Sequence, residues 1–253
     1  MRTDVAAIIQ ARMGSSRLPG KVLMPLGGLA VIDRVVAQLQ YSCRLSGIVV
    51  ATTTSPSDDP LVEHVRVRNI RFFRGSEDDV LDRYYQCATC IGAKNVARIT
   101  ADCPLIDPQV VDATIERFET SQVMYASNIE PATFPDGLDV EVFSYEALEW
   151  SWREAKLLSE REHVTQYIRK HPELFSRVTL ESPVPLEQLR WTLDQIEDYN
   201  FLSRVFDLLP QRDAPVLMDQ VLQALRHMPD FPRSNGHIER NLGLKKSLTE
   251  DPR

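Results

Sequence analysis

The chain has 253 residues, 43% hydrophobic and 26% charged, the arithmetic of one folded α/β unit that buries roughly 70–75% of its unfolded surface without disulfides. A net charge of −7 argues against a broad basic face for nucleic acid, because displacing phosphate counterions needs clustered cations. The longest apolar runs, at 5–9 and 48–51, fall far short of the roughly 20 residues of a membrane span; with no small-residue cleavage site near the start, the expectation is a cytoplasmic protein.

Strand-like runs are expected at 4–9, 47–53, 70–73, 95–100, 123–127, 138–143, 177–180 and 190–193, with helical periodicity between them. That alternation implies parallel βαβ units. A helix follows Asp33, and another follows Asp78, where Val80, Leu81, Tyr84, Tyr85 and Ala88 recur three to four residues apart. Asp107-Pro108 reads as an N-cap with proline at the first helical position. Ser159 with Glu162 fits a capping box that opens 160–170. Between 128 and 190 the rhythm loosens around Pro131, Pro135, Pro172, Pro183 and Pro185, so this stretch is expected as an insertion or lid packed on the sheet. The Pro- and charge-rich stretch 229–253 reads as a tail. The four cysteines (Cys43, Cys87, Cys90, Cys103) show no disulfide framework, and Cys87-Ala-Thr-Cys90 lacks the second pair a zinc site needs.

The densest chemical signal follows the first strand. Residues 10–28 hold four of the ten glycines together with Arg12, Arg17 and Lys21. At the carboxyl end of a strand, glycines let backbone N–H groups approach phosphate oxygens while cations offset triphosphate charge. The spacing is not that of a Walker A loop, since five residues separate Gly14 from Gly20 and Val22 follows Lys21. Asp102 and Asp194 each end an apolar run, where a carboxylate serves either as a Mg²⁺ ligand facing phosphates or as the cap of the next helix.

The segment Ile8-Ile-Gln10-Ala11-Arg12-Met-Gly14-Ser15-Ser-Arg17-Leu-Pro-Gly-Lys21 resembles the signature of the spore-coat polysaccharide biosynthesis cytidylyltransferases, relatives of the CMP-Kdo and CMP-sialic acid synthetases. The likeness continues through Val49-Val-Ala51-Thr52-Thr53, Phe73-Arg74-Gly75-Ser76-Glu-Asp, Arg98-Ile-Thr-Ala-Asp102, Pro135-Asp136-Gly-Leu-Asp139-Val-Glu-Val, Ser159-Glu-Arg161-Glu162-His163 and Arg190-Trp-Thr-Leu-Asp194. It implies a single three-layer nucleotidyltransferase domain of glycosyltransferase-A-like, Rossmann-like type over 1–228, with a mixed, mostly parallel sheet. It also implies transfer of CMP from CTP to a sugar acid with release of pyrophosphate. Arg12, Arg17 and Lys21 are then the catalytic cations; Gln10, Ala11, Gly14, Ser15, Ala51, Thr52, Arg74, Gly75 and Ser76 the nucleotide contacts; and Asp102 and Asp194 the Mg²⁺ ligands. In this chain Gln195-Ile196 replaces the Thr-Pro pair that follows the second ligand in the synthetases.

Acceptor contacts are expected from Asp136, Asp139, Arg161, Glu162 and His163, the first two for hydroxyls and the cluster for a carboxylate. Glu162 has the alternative of capping Ser159, and His163 that of a packing residue. No general base stands out, and the expected assembly is a homodimer. Two other readings remain: a nucleotidyltransferase using a sugar phosphate or another NTP, and a glycosyltransferase or non-catalytic nucleotide binder. The absence of an Asp-x-Asp triplet weighs against a glycosyltransferase.

Overall fold

The computed structural model describes residues 4–210, 214–227 and 235–251. Strand β1 (Val5–Gln10) is followed by a short hairpin, β2 (Pro25–Leu26) and β3 (Leu29–Ala30), and by α1 (Val31–Gln40). Then come β4 (Leu45–Thr53), α2 (Asp59–Val67), β5 (Phe72–Gly75), α3 (Val80–Ile91), β6 (Asn95–Thr100) and α4 (Pro108–Ser121). The second half holds β7 (Tyr125–Ser127), β8 (Glu141–Ser144), α5 (Tyr145–Glu154), α6 (Leu158–Glu162), α7 (Gln166–Lys170), β9 (Arg177–Thr179), α8 (Ile196–Leu208), α9 (Met218–Leu225) and α10 (Leu242–Glu250).

Seven strands form one sheet in the order β5-β4-β1-β6-β8-β7-β9. β8 alone runs antiparallel to its neighbours β6 and β7, so the sheet is mixed and mostly parallel. Both faces are covered. Val5, Ala7 and Ile9 of β1 pack into one core with α1, α4, α8 and α9, while Ile8 packs into a second core with α3 and α5. Burial on both sides is why the central strands read as unbroken apolar runs rather than alternating ones.

Local chemistry sets the helix starts. Asp107 accepts from Gln109 N with Pro108 at the first position, Asp79 accepts from Asp82 N, and Ser144 accepts from Ala147 N. Asp79 is therefore the cap of α3. The expected Ser159/Glu162 capping box is replaced. Glu160 accepts from Lys156 N and Leu157 N, while the Ser159 hydroxyl donates to Asp251. The helix expected over 160–170 is also broken at His163–Thr165 into α6 and α7.

One further expectation changes. The run at 190–193 is not a strand, because its backbone serves two partners in turn. Trp191 N donates to Asp136 O at 2.6 Å and Leu193 N to Asp102 O at 2.8 Å, so no ladder forms. The 128–190 stretch contributes β8 and β9 to the main sheet and α5–α7 to its second face. Cys87 and Cys103 are buried, with burial raising the Cys87 thiol to about 12, whereas Cys43 and Cys90 are exposed. Residues 228–234 and 252–253 of the expected tail lie outside the described residues, but 235–251 pack back on the fold through α10 and α6. No described helix is long and apolar enough to cross a membrane.

Gly137 sits where the 134–140 segment crosses Trp191. Its φ is +111°, and a Cβ there would lie 2.7 Å from the Trp191 carbonyl carbon and 2.8 Å from Thr192 N. Gly137→Ala is expected to cost more than about 2 kcal/mol, since both backbones must move. Gly47→Ala in β4, where a Cβ meets nothing within 4 Å, should be neutral or slightly stabilising. Urea unfolding of the two variants measures the contrast, and equal losses would show that the close crossing does not constrain the fold.

Candidate functional site

The carboxyl ends of β1 and β6 open into a cavity of about 700 Å³. One wall is the loop after β1. Met13 O accepts from both Ser15 N and Gly20 N, and Gly20 adopts a left-handed conformation, so the loop folds back and returns Lys21 to the cavity. The loop is anchored from below by Asp58, whose Oδ1 accepts from Met13 N at 2.7 Å. Its Oδ2 accepts from the Thr52 and Thr53 hydroxyls and from Thr53 N. Burial pushes the Asp58 pKa up, but these hydrogen bonds, Thr53 first, outweigh it and hold the carboxylate below its usual range.

At the centre lies Lys21. Its Nζ donates to Leu193 O at 2.7 Å, Asp102 Oδ2 at 2.8 Å and Asp194 Oδ1 at 2.9 Å. Burial disfavours the ammonium, yet Asp102 and Asp194 together more than offset this and raise its pKa. Asp194 also takes Arg17 at 2.8 Å and Arg190 at 3.2 Å. Against burial, which works upward, Lys21, Arg17 and Arg190 draw the Asp194 pKa down to about 2.

Arg190 is the hub of the second wall. Its guanidinium reaches Asp198 through Nε (2.9 Å) and Nη2 (3.0 Å), Asp136 through Nη1 (2.7 Å) and Asp194 through Nη2. Asn235 donates to Asp198 and to Arg190 O. Beyond Asp136, Arg240 pairs with Asp139. The far end is built by Glu162, His163, Thr165, Arg169, Arg98, Glu141 and the first turn of α10. Glu141 is saturated there by Arg98, Tyr125 and Thr165. His163 Nε2 lies 3.0 Å from the Ser247 hydroxyl, which donates to Glu162.

Of the residues singled out from the sequence, Gln10, Ala11, Arg12, Ser15, Arg17, Lys21, Asp102, Asp136, Asp139, Glu162, His163 and Asp194 line this one cavity. Gly14, Ala51, Thr52, Arg74, Gly75, Ser76 and Arg161 do not. Ala51 O accepts from Ala11 N, Thr52 is on Asp58, and Arg74 is on Thr53 O, Ser55 O and Asp59. Ser76 Oγ accepts from Asp79 N, and Gly75 packs against Arg83. Arg161 is captured by Asp79 and Trp152 O, tying α6 to α3. The sequence reading missed Asp58, Arg190, Asp198 and Arg240. Arg190 carried a usable signal, four residues ahead of Asp194 in a segment already marked.

A family described as cytidylyltransferase matches residues 6–232 of the chain. The spore coat polysaccharide biosynthesis protein SpsF of Bacillus subtilis is 35% identical over 236 residues, covering 90% of this chain and 96% of that protein. The 3-deoxy-manno-octulosonate cytidylyltransferase of Geobacter sulfurreducens is 33% identical over 114 residues, 44% of each chain. A solved cytidylyltransferase structure from Leptospira borgpetersenii superposes with a TM-score of 0.86 at 29% identity, covering 92% of this chain and 98% of that one.

The Asp194 environment gives a stability prediction with a definite sign. Because the folded carboxyl titrates near 2, below its ordinary value of about 4, its contribution is complete above that ordinary value and is lost as pH falls through the folded one. Wild type should exceed Asp194→Asn by about 2 kcal/mol near pH 6, and the gap should close as the pH is lowered toward 2. Urea denaturation of both proteins across that range reads it; a gap independent of pH would mean that the ion pairs do not stabilise the folded state.

Proposed function

The chain belongs to the cytidylyltransferase family, and on that premise we propose that it transfers CMP from CTP to the anomeric hydroxyl of a sugar acid, releasing pyrophosphate. The observation that carries this reading is the convergence of Lys21, Asp102 and Asp194 on one point, directly beside a loop bearing Arg12 and Arg17 and in one cavity with a polar far end. In that arrangement the loop cations and backbone N–H groups hold the triphosphate. Lys21, pre-organised and partly desolvated, faces the charge that develops on the leaving pyrophosphate.

Two carboxylate oxygens already directed at one cation are a donor set that suits Mg²⁺, which takes one or two protein carboxylates and completes its shell with phosphates and water. Among the described residues no three His, Cys, Asp or Glu side chains gather as a metal site. Asp102 and Asp194 would hold the ion, and its chemistry would be charge neutralisation and orientation of phosphate oxygens.

At the far end, Arg98, Arg169 and Lys246 suit an acceptor carboxylate, while Asp136 and Asp139 suit its hydroxyls. The acceptor named for the Geobacter relative, 3-deoxy-manno-octulosonate, is of this class. The work left to the protein is mainly in-line positioning of hydroxyl, α-phosphorus and leaving group.

Pyrophosphate release, measured with each nucleoside triphosphate against a panel of ulosonic acids and sugar phosphates, tests the reading. Release is expected only with CTP and an acid bearing a free anomeric hydroxyl. Lys21→Ala and Asp102→Asn should each lower the rate about 10²-fold or more with circular dichroism unchanged. Release that requires a sugar phosphate would reassign the acceptor, and near-normal turnover in Lys21→Ala would remove the loop from the chemistry.

A further inference from the structure

We infer that Asp139 is the general base that takes the proton of the acceptor's anomeric hydroxyl, and that Arg240, delivered by the C-terminal segment, is the positioning residue that aims it. The inference rests on the cytidylyl-transfer reading and supplies the proton's destination, which that reading leaves open.

Asp139 lines the same cavity as Lys21, Asp102 and Asp194. A continuous line of ion pairs gives its place within it. Asp194 meets Arg190 at 3.2 Å, Arg190 meets Asp136 at 2.7 Å, Asp136 lies 3.8 Å from Arg240, and Arg240 bonds Asp139. Asp139 thus stands two guanidinium links from the Lys21 centre, toward the acceptor end and away from the loop.

Glu141 and Asp136, the carboxylates nearest it in sequence, are already committed. Glu141 accepts from Tyr125 and Thr165 on one oxygen and from Arg98 on the other. Asp136 holds Arg190 and faces Arg240. Glu162 Oε2 accepts from Ser247, whose hydroxyl also engages His163 Nε2. At Asp139 only Oδ1 is used, by Arg240 Nη2; among the described residues nothing donates to Oδ2. Its side chain is 31% exposed, against 12% for Asp136 and 3% for Glu141. Of Asp136, Asp139 and Glu141 it is the one that offers a substrate an open oxygen; Glu162, 39% exposed with only Oε2 engaged among the described residues, offers one too but lies off the line of ion pairs that leads to Lys21.

The electrostatics suit a base. Burial raises the Asp139 pKa, with Asp136 and Glu141 adding to it and Arg240 and Arg98 opposing, and the result is about 7. A base is most efficient when its pKa lies near the working pH. Arg240 is itself held by Phe134 O, so the guanidinium fixes the carboxylate from one side and leaves the other free. In the step, the anomeric O–H bond breaks as the O–Pα bond forms. The proton passes to Asp139 Oδ2, the Pα–O bond to pyrophosphate breaks, and the proton is then released to solvent.

The test uses full-length enzyme, CTP and the panel acid giving the fastest pyrophosphate release, beginning with 3-deoxy-manno-octulosonate. Asp139→Asn should lower kcat 10²–10⁴-fold with circular dichroism and calorimetric CTP affinity unchanged. The wild-type pH profile should fall below about pH 7, and this acid limb should be missing in Asp139→Asn. Arg240→Met should shift the limb to higher pH, because removing a cation raises the carboxylate's pKa. That shift decides the matter if Asp139→Asn does not fold. An active wild type whose acid limb persists in Asp139→Asn, or moves instead with His163→Asn, overturns Asp139 as the base while leaving the transfer reaction in place. A wild type that releases no pyrophosphate from CTP with any acid of the panel overturns the reaction, and the base with it.

Discussion

An ammonium group taken out of water is the constraint around which this site is arranged. Lys21 is only 8% exposed, and a charge so placed costs several kcal/mol unless paired and hydrogen-bonded. Its three acceptors come from the end of β6 and from the segment before α8, more than 80 and 170 residues away in sequence. Placing Lys21 therefore fixes three parts of the chain at once. The same demand is passed outward. Asp194, drawn in to serve Lys21, is shared with Arg190, which needs Asp136 and Asp198, and Asp136 in turn faces Arg240. Each buried charge is acceptable only because the next is present, so the cavity forms as a unit and not piecewise.

What could be read from the sequence follows from how far apart the partners lie. The loop after β1 was legible because its glycines and cations are contiguous, and Asp102 and Asp194 because each ends an apolar run. Arg240 was not, since nothing near it announces a carboxylate a hundred residues upstream. Arg161 shows the converse. A basic residue beside Glu162 and His163 reads as a carboxylate binder, but Asp79 at the start of α3 lies closer and takes it. The cap of α6 was misplaced because Ser159 and Glu162 fit the pattern, whereas Asp251 claims the serine and Glu160 reaches back instead. Within the 128–190 stretch the runs at 138–143 and 177–180 were legible and correspond to β8 and β9, whereas the prolines around them belong to connections.

The C-terminal segment changes the character of the far end of the cavity. Without it, Asp136 and Asp139 would be two neighbouring carboxylates with Arg190 as their only ion-pair partner among the described residues. Arg240 supplies the second. Asn235 braces Asp198, and Ser247 holds Glu162 and His163 together. The last described residue, Asp251, bonds Ser159 at the root of α6. These contacts run along the whole length of 235–251, which is why a stretch that looks like a polar tail in composition behaves as a wall of the site.

The distribution of compensation also sets how an anion enters. The chain carries a net charge of −7, yet Arg12, Arg17, Lys21, Arg98, Arg169, Arg190 and Lys246 all line the cavity, and field lines focus in such clefts. The cations are not equally engaged. Lys21 is bound by two carboxylates, and Arg17 by one while remaining 38% exposed. Arg12 has no ion pair among the described residues and lies within electrostatic reach of Arg83. Arg83 is fully buried, with Nη1 on Ser76 O and with Nε and Nη2 unbonded. Positive charge is therefore left least compensated at the outer corner of the loop and most compensated at its inner end. A polyanion gains most at Arg12 and Arg17, where little must be broken, and then competes with Asp102 and Asp194 for Lys21.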